Sequence, residues 1–150
     1  MPEIFHTAPV KVTSASAAVV LHCSDPRYQP HFQDFLRNAL QLERYALIAV
    51  PGGAQFLTPA DNQPQFSWVG WQWVKFVHDV ARAERVVLMA HDDCRWYLDV
   101  CSGLDPAQLR TRIAKDLRGV RAGLLERFPQ LQVELYFARL DGDLAVIVPV

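Results

Sequence analysis

Two short stretches of this chain hold residues whose types and spacing suit metal chemistry. The first is Cys23-Ser24-Asp25-Pro26-Arg27 and the second is His91-Asp92-Asp93-Cys94. Together they offer two thiolates, one imidazole and a nearby carboxylate, which is a ligand set for Zn²⁺. Three protein ligands with a fourth position open to water or substrate describe a catalytic zinc site better than a closed structural one. Alone, a His-x-x-Cys or a Cys-x-Asp-x-Arg is a weak signal. Each stretch, however, ends an apolar run, and that raises the weight of the pair.

The elements that must bring them together can be read from hydrophobic period and turn residues. Residues 17–21, 45–50 and 85–90 are short apolar runs that read as fully buried strands. Pro51-Gly52-Gly53 stops the second. Pro30 opens a helix along Phe32, Phe35, Leu36, Ala39 and Leu40. Beyond a loop with Pro59, Asp61, Asn62 and Pro64, the helical period returns from Phe66. Val69, Gly70, Trp73, Val74, Val77, Val80 and Ala81 then line one face. Asp105-Pro106 starts a further helix through Leu109, Ile113, Leu117, Val120 and Leu124, which Pro129 ends. Residues 132–140 and 144–148 flank Asp141-Gly142-Asp143 as a hairpin.

Continuous apolar strands alternating with helices imply an α/β fold: a mostly parallel sheet covered by helices, with a C-terminal antiparallel edge strand. In such a sheet, ligands bind beyond the carboxyl ends of strands where the strand order reverses. An order of 2-1-3-4 makes the first and third strands neighbours, so Cys23 and His91 end in one crevice. If extension persists, Cys23, Asp25 and Arg27 share a face. One helical turn puts His91 and Cys94 on the same side.

Composition narrows the function classes. The chain has 150 residues, 51% hydrophobic and 21% charged, with a net charge of −1, which suits one domain over residues 1–150 with a real core. No basic stripe indicates nucleic acid. No apolar run approaches the ~20 residues of a membrane span. Residues 15–21 lack a strongly basic leader, so the cytoplasm is the expected location. Three cysteines there argue for thiol or metal chemistry over a disulfide framework.

Other residues carry blander expectations. His22-Cys23 could suggest a cysteine phosphatase, but Arg27 follows too soon and the loop has no central glycine. His22 should face away from Cys23 and pack. His31, opening a helix near the crevice, is a possible proton shuttle. His6 and His78 read as surface residues and Cys101 as a small buried hydrophobe. Trp68, Trp71, Trp73 and Trp96 read as core or subunit contact. Asp92 and Asp93 read as loop-forming, with Asp92 able to accept a hydrogen bond behind a metal ligand.

With these residues in view, the chain resembles the beta-class carbonic anhydrases. Their signature of Cys-x-Asp-x-Arg, then His-x-x-Cys, is matched by Cys23, Asp25 and Arg27 and by His91 and Cys94. The resemblance implies Zn²⁺ on Cys23, His91 and Cys94. It implies Asp25 and Arg27 as a catalytic pair, with Asp25 able to bind the metal in a closed state. The implied reaction is reversible hydration of carbon dioxide to bicarbonate by a zinc-activated hydroxide. The alternatives are zinc-dependent hydrolysis of carbon disulfide or carbonyl sulfide, or a non-catalytic zinc-binding regulator of the same fold. The implied assembly is a homodimer or higher homo-oligomer. Arg95 and Trp96 stand where the family usually has glycine and a small residue. Ala49-Val50-Pro51-Gly52 stands where it often has Arg-Asn-Ala-Gly. These departures fall around the pocket, not on the ligand set.

Overall fold

The structure is a computed structural model that describes residues 5, 7, 9, 16–59 and 64–150. His6, Asp61 and Asn62 lie outside the described residues. Five strands form one sheet in the order β2-β1-β3-β4-β5. They are β1 (Val19–Cys23), β2 (Ala46–Val50), β3 (Arg85–His91), β4 (Gln132–Asp141) and β5 (Leu144–Pro149). Pairing is parallel except between β4 and β5, which are antiparallel. This is the mostly parallel α/β sheet with an antiparallel edge that the apolar runs imply.

Strands β1 and β3 run further than their apolar stretches. Cys23 still pairs with Val50, and His91 with Ala138. Backbone pairing with flanking strands, not side-chain polarity, sets where they end. The two motifs therefore begin inside the sheet, on paired backbone.

Pleating sends alternate residues to opposite faces. Val19, Leu21, Val86 and Leu88 join a core with Val74 of α2 (Pro64–Ala81) and Ile113, Leu117 and Leu124 of α4 (Pro106–Arg127). On the other face Val20, Val87 and Met89 meet Phe32 of α1 (Gln29–Asp34) and Leu36. The helix expected along residues 30–40 changes after α1 into a π-helical turn, Phe35–Ala39. Two short elements had no clear periodic signal: a 3-10 helix, Gly53–Leu57, and α3 (Arg95–Val100). The start of α4 matches its reading. Asp105 accepts from the backbone of Ala107 and Gln108, and the Gln108 side chain accepts from the Asp105 N–H in return. Such a cap contributes about 1 kcal/mol.

The expected apolar face of α2 is only partly buried. Gly70, Val74 and Ala81 are covered, whereas Trp73 is 51% and Val80 68% exposed. The helix packs beside edge strand β2, so its apolar stripe is wider than the surface available to cover it. His78 is half-buried against Phe128, with ring centroids 4.4 Å apart, not on the open surface. Cys101 is likewise only half-buried.

At the far end of β3 and β4, Arg85 donates to both Glu134 oxygens at 2.5 and 3.0 Å, and the Tyr136 hydroxyl adds a third bond at 2.7 Å. Arg85 holds the Glu134 carboxyl below its ordinary value. A depressed folded pKa stabilises above the unfolded value, near 4.3, and that stabilisation is lost as pH falls through the folded one. Glu134→Gln should therefore lower the urea midpoint at neutral pH, and the difference from wild type should shrink below about pH 4.3. A difference that grows on acidification would contradict this.

Candidate metal centre

Cys23 is the last residue of β1, and its buried side chain lies on the Leu21 face. His91 is the last residue of β3 and is fully buried. The chain then turns through Asp92 and Asp93 and delivers Cys94 at the start of α3. This turn differs from the expected helical one. Asp93 has φ 49°, a left-handed conformation that aspartate tolerates better than most residues.

The ligand atoms of Cys23, His91 and Cys94 all lie within 4.8 Å of one another. The two sulfurs are 3.8 Å apart. Two thiolates on one tetrahedral zinc, with bonds of ~2.3 Å, stand about 3.8 Å apart. The imidazole is oriented as well: His91 Nδ1 donates to the Asp92 carbonyl at 2.6 Å, which leaves the Nε2 lone pair free. Nε2 is buried with no hydrogen-bond partner among the described residues. The Nε2 of His22 shares that condition but sits on a ring packed against Phe32, at 5.0 Å between centroids. Only the His91 atom belongs to the cluster with the two sulfurs. The donor set thus fits a borderline-soft divalent metal.

Electrostatics favour a thiolate here before any metal is considered. The Cys23 thiol is pushed below the ordinary thiol range, first by its contact with Cys94 and then, against burial, by His91. Cys94 is pushed up, first by Cys23 and then by burial. The pair therefore gives up its first proton more readily than its second.

Asp25 and Arg27 are brought together by a turn, not by the extended chain expected from spacing. Arg27 N donates to Asp25 Oδ1 at 3.0 Å and Tyr28 N to the Asp25 carbonyl at 3.1 Å. Aspartate side chains commonly close such turns on the backbone two residues ahead. The guanidinium folds back onto the carboxylate, with Nε to Oδ1 at 3.0 Å and Nη2 to Oδ2 at 2.6 Å. This parallel pairing holds the Asp25 carboxyl below the usual carboxylate range. Asp25 does not belong to the close cluster of Cys23, His91 and Cys94.

Sequence reasoning missed several supports. The Tyr28 ring lies tilted against His91, with centroids 4.0 Å apart. Asp93 accepts from Arg27 Nη1 at 2.5 Å and from the Tyr28 hydroxyl at 3.0 Å. Asp92 is gripped by Arg110 of α4 at 2.6 and 2.7 Å and by Leu140 N at 2.9 Å. Its side chain thereby pins the loop whose carbonyl orients His91. Nothing in spacing links Arg110 to this loop.

An open cavity of about 460 Å³ lies over the centre, lined by Cys23, Ser24, Asp25, Arg27, Pro51 and Arg95, among others. Trp96 also lines it, donating to Gln55 Oε1 at 2.7 Å. Gly52, at φ 75°, makes room for that indole, since a Cβ there would come within 2.3 Å of the ring. Gly53 lets the same turn press on β1, where a Cβ would stand 3.0 Å from Cys23 N. His31 does not line this cavity but a separate cleft with Asp34, Phe35 and Asn38. The shuttle expectation for it has no structural support.

Cys101 lies outside the metal cluster. Cys101→Ser should leave bound zinc at the wild-type level by elemental analysis. Loss of metal would put Cys101 among the ligands.

The fold is that of the beta-class carbonic anhydrases. A carbonic anhydrase from Streptococcus mutans superposes with a TM-score of 0.54 at 16% identity, over 95% of this chain and 87% of that one. One of the tetrameric beta-carbonic anhydrases of Sordaria macrospora gives 0.52 at 11% identity, over 91% and 81%. The carbonic anhydrase of Glaciozyma antarctica gives 0.52 at 12%, over 89% and 82%. No protein-family model matches the chain, and no curated protein does. No helix among the described residues is long and apolar enough to cross a membrane.

Proposed function

We propose that this single-domain chain is a zinc-dependent carbonate dehydratase that interconverts carbon dioxide and bicarbonate. The observation that carries this reading is the buried Cys23–His91–Cys94 cluster with its free Nε2, placed at the strand ends of a beta-carbonic-anhydrase fold. These three residues would hold the metal. When bound, zinc supplies Lewis acidity, which makes water a competent nucleophile near neutral pH. Two thiolates donate more charge than imidazoles, so activity should favour the alkaline side.

The chain's own residues supply positioning. Asp25, kept ionised by Arg27, accepts a hydrogen bond from the attacking water and fixes its orientation. By pairing with Asp25, Arg27 would also keep that carboxylate off a metal held by Cys23, His91 and Cys94. Trp96 and Pro51 give the cavity an apolar wall suited to an uncharged linear substrate. Stopped-flow hydration of carbon dioxide by zinc-loaded protein tests the reading between about pH 7 and 9. A rate above buffer that rises with pH supports it. A background rate overturns it, and sulfide release from carbon disulfide or carbonyl sulfide would redirect it to hydrolysis.

The chain should also self-associate. Leu47 on edge strand β2 and Trp73 and Phe76 on α2 are exposed apolar residues lining one cleft, and exposed Val80 follows Phe76 by one helical turn. Such a face beside an unpaired strand edge is what a second copy covers. The three free thiols fit a reducing, cytoplasmic setting. Light scattering at micromolar concentration should give a dimer or larger species, and a monomer would contradict this assignment.

A further inference from the structure

We propose that Asp93 is a positioning residue that anchors Arg27 independently of Asp25, and so keeps the guanidinium aimed at Asp25 and Asp25 off the metal. The inference rests on the zinc reading only for its consequence at the metal, because the anchor itself is a property of the protein's own side chains.

The two carboxylates do not compete for Arg27. Asp25 takes Nε and Nη2, while Asp93 takes Nη1 at 2.5 Å. An arginine side chain that is 48% exposed has little packing to choose its rotamer, so polar partners must do so. Asp25 fixes Nε and Nη2 from the same turn, and its carboxylate is itself held by the Arg27 backbone N–H. Asp93 fixes the remaining nitrogen from the second motif. Its other oxygen accepts from the Tyr28 hydroxyl at 3.0 Å, and the Tyr28 ring is seated on His91. Its left-handed backbone holds it within the turn between His91 and Cys94. The anchor therefore ties the first motif directly to the second. Asp93 does not line the cavity over the centre, so it does not touch substrate; its Nη1 contact to Arg27, at 2.5 Å, is closer than its 3.8 Å approach to His91 Nδ1.

When Asp93 loses its charge, Arg27 keeps only Asp25, and the fork is free to rotate with it. Asp25 then retains the Arg27 backbone N–H but not a fixed side-chain partner. Its carboxylate would then be free to turn towards a metal held by Cys23, His91 and Cys94. With Asp93 in place, Arg27 stays put even when Asp25 is absent.

The test uses two variants that the backbone tolerates. Asp93→Asn keeps the shape and suits the left-handed conformation, and Asp93→Gly suits it with no side chain at all. The first readout is hydrogen exchange of the Arg27 Nη1–H protons, the donor that Asp93 accepts from, by ¹⁵N NMR on metal-free protein, with the signals assigned by their absence in Arg27→Lys. Both variants should speed exchange on the order of tenfold or more, the effect of losing a charge-assisted hydrogen bond that holds the fork. The second readout is the visible spectrum of cobalt-loaded protein. The variants should shift towards a fourth protein oxygen and lose the response to added azide that wild type should give. Wild-type exchange rates in both variants overturn the anchor. Faster exchange with an unchanged, azide-responsive cobalt spectrum overturns its role in holding Asp25 off the metal. Failure of cobalt to bind wild type strikes the zinc reading instead, and the exchange rates still decide the anchor.

Discussion

Cys94→Ser should abolish tight zinc binding and, with it, hydration activity. Serine is nearly the size of cysteine, and Cys94 is 2% exposed, so little packing changes. What changes is the donor: a hydroxyl does not ionise near neutral pH and is a poor ligand for zinc. The loss of affinity should exceed the ~10–100-fold typical of residues that only support a ligand. Stability falls too, because a metal that binds the native state adds free energy to it. At a free zinc concentration about one hundred times Kd, that addition is about 2.7 kcal/mol. Thermal unfolding with and without a chelator separates this from packing. The chelator should bring wild type down to the variant and leave the variant where it is. Full metal content in Cys94→Ser would show that the ligand assignment is wrong.

Arg27→Ala should keep zinc yet lower turnover by roughly a hundredfold, the scale of losing one well-placed electrostatic partner. Arg27 contributes no ligand atom to the close cluster, so metal content should stay at about one per chain. What goes is the two-pronged grip on Asp25, at 3.0 and 2.6 Å. Arg27→Lys should lose most of the same activity, because an ammonium cannot match the paired geometry. Asp25→Ala should fall as well, but by another route. The metal stays open, the water loses its acceptor, and Arg27 remains on Asp93. Cobalt spectra distinguish the cases through the fourth ligand. Wild-type activity and an open metal in Arg27→Lys would reduce Arg27 to a structural clamp.

Much of the fold could be read from the chain. Apolar runs ended by Cys23 and His91 mark buried strands; the run ended by Pro51 marks a strand too, but β2 lies at the sheet edge and only Ile48 in it is buried, against the expected full burial. The Asp105-Pro106 helix start and the turn at Gly142 mark their elements equally well. Strand order followed from topology, because only adjacent β1 and β3 bring Cys23 and His91 into one crevice. The close approach of Cys23 and His91 was readable for the same reason: strand ends are placed by the sheet.

Loop geometry was not readable in this way. Spacing alone suggested an extended run through Arg27, whereas the Asp25 side chain closes a turn on the Arg27 backbone. A left-handed residue such as Asp93 leaves no periodic trace, so its bonds to Arg27 and Tyr28 were invisible. Arg110 reaches Asp92 from a helix whose pattern reports only its buried side. The exposure of Trp73 and Val80 escaped because an apolar stripe records affinity for cover, not whether the chain's own sheet provides it.

The central claim is that Cys23, His91 and Cys94 hold zinc with its fourth position open. X-ray absorption at the zinc edge of the loaded protein, at about pH 8, addresses it most directly. The shell should contain two sulfurs at ~2.3 Å, one imidazole nitrogen at about 2.0–2.1 Å and one further light atom. Added azide should alter the spectrum, as expected of an exchangeable fourth ligand. A shell with three or more sulfurs, or with none, would contradict the account, as would a protein that fails to retain zinc.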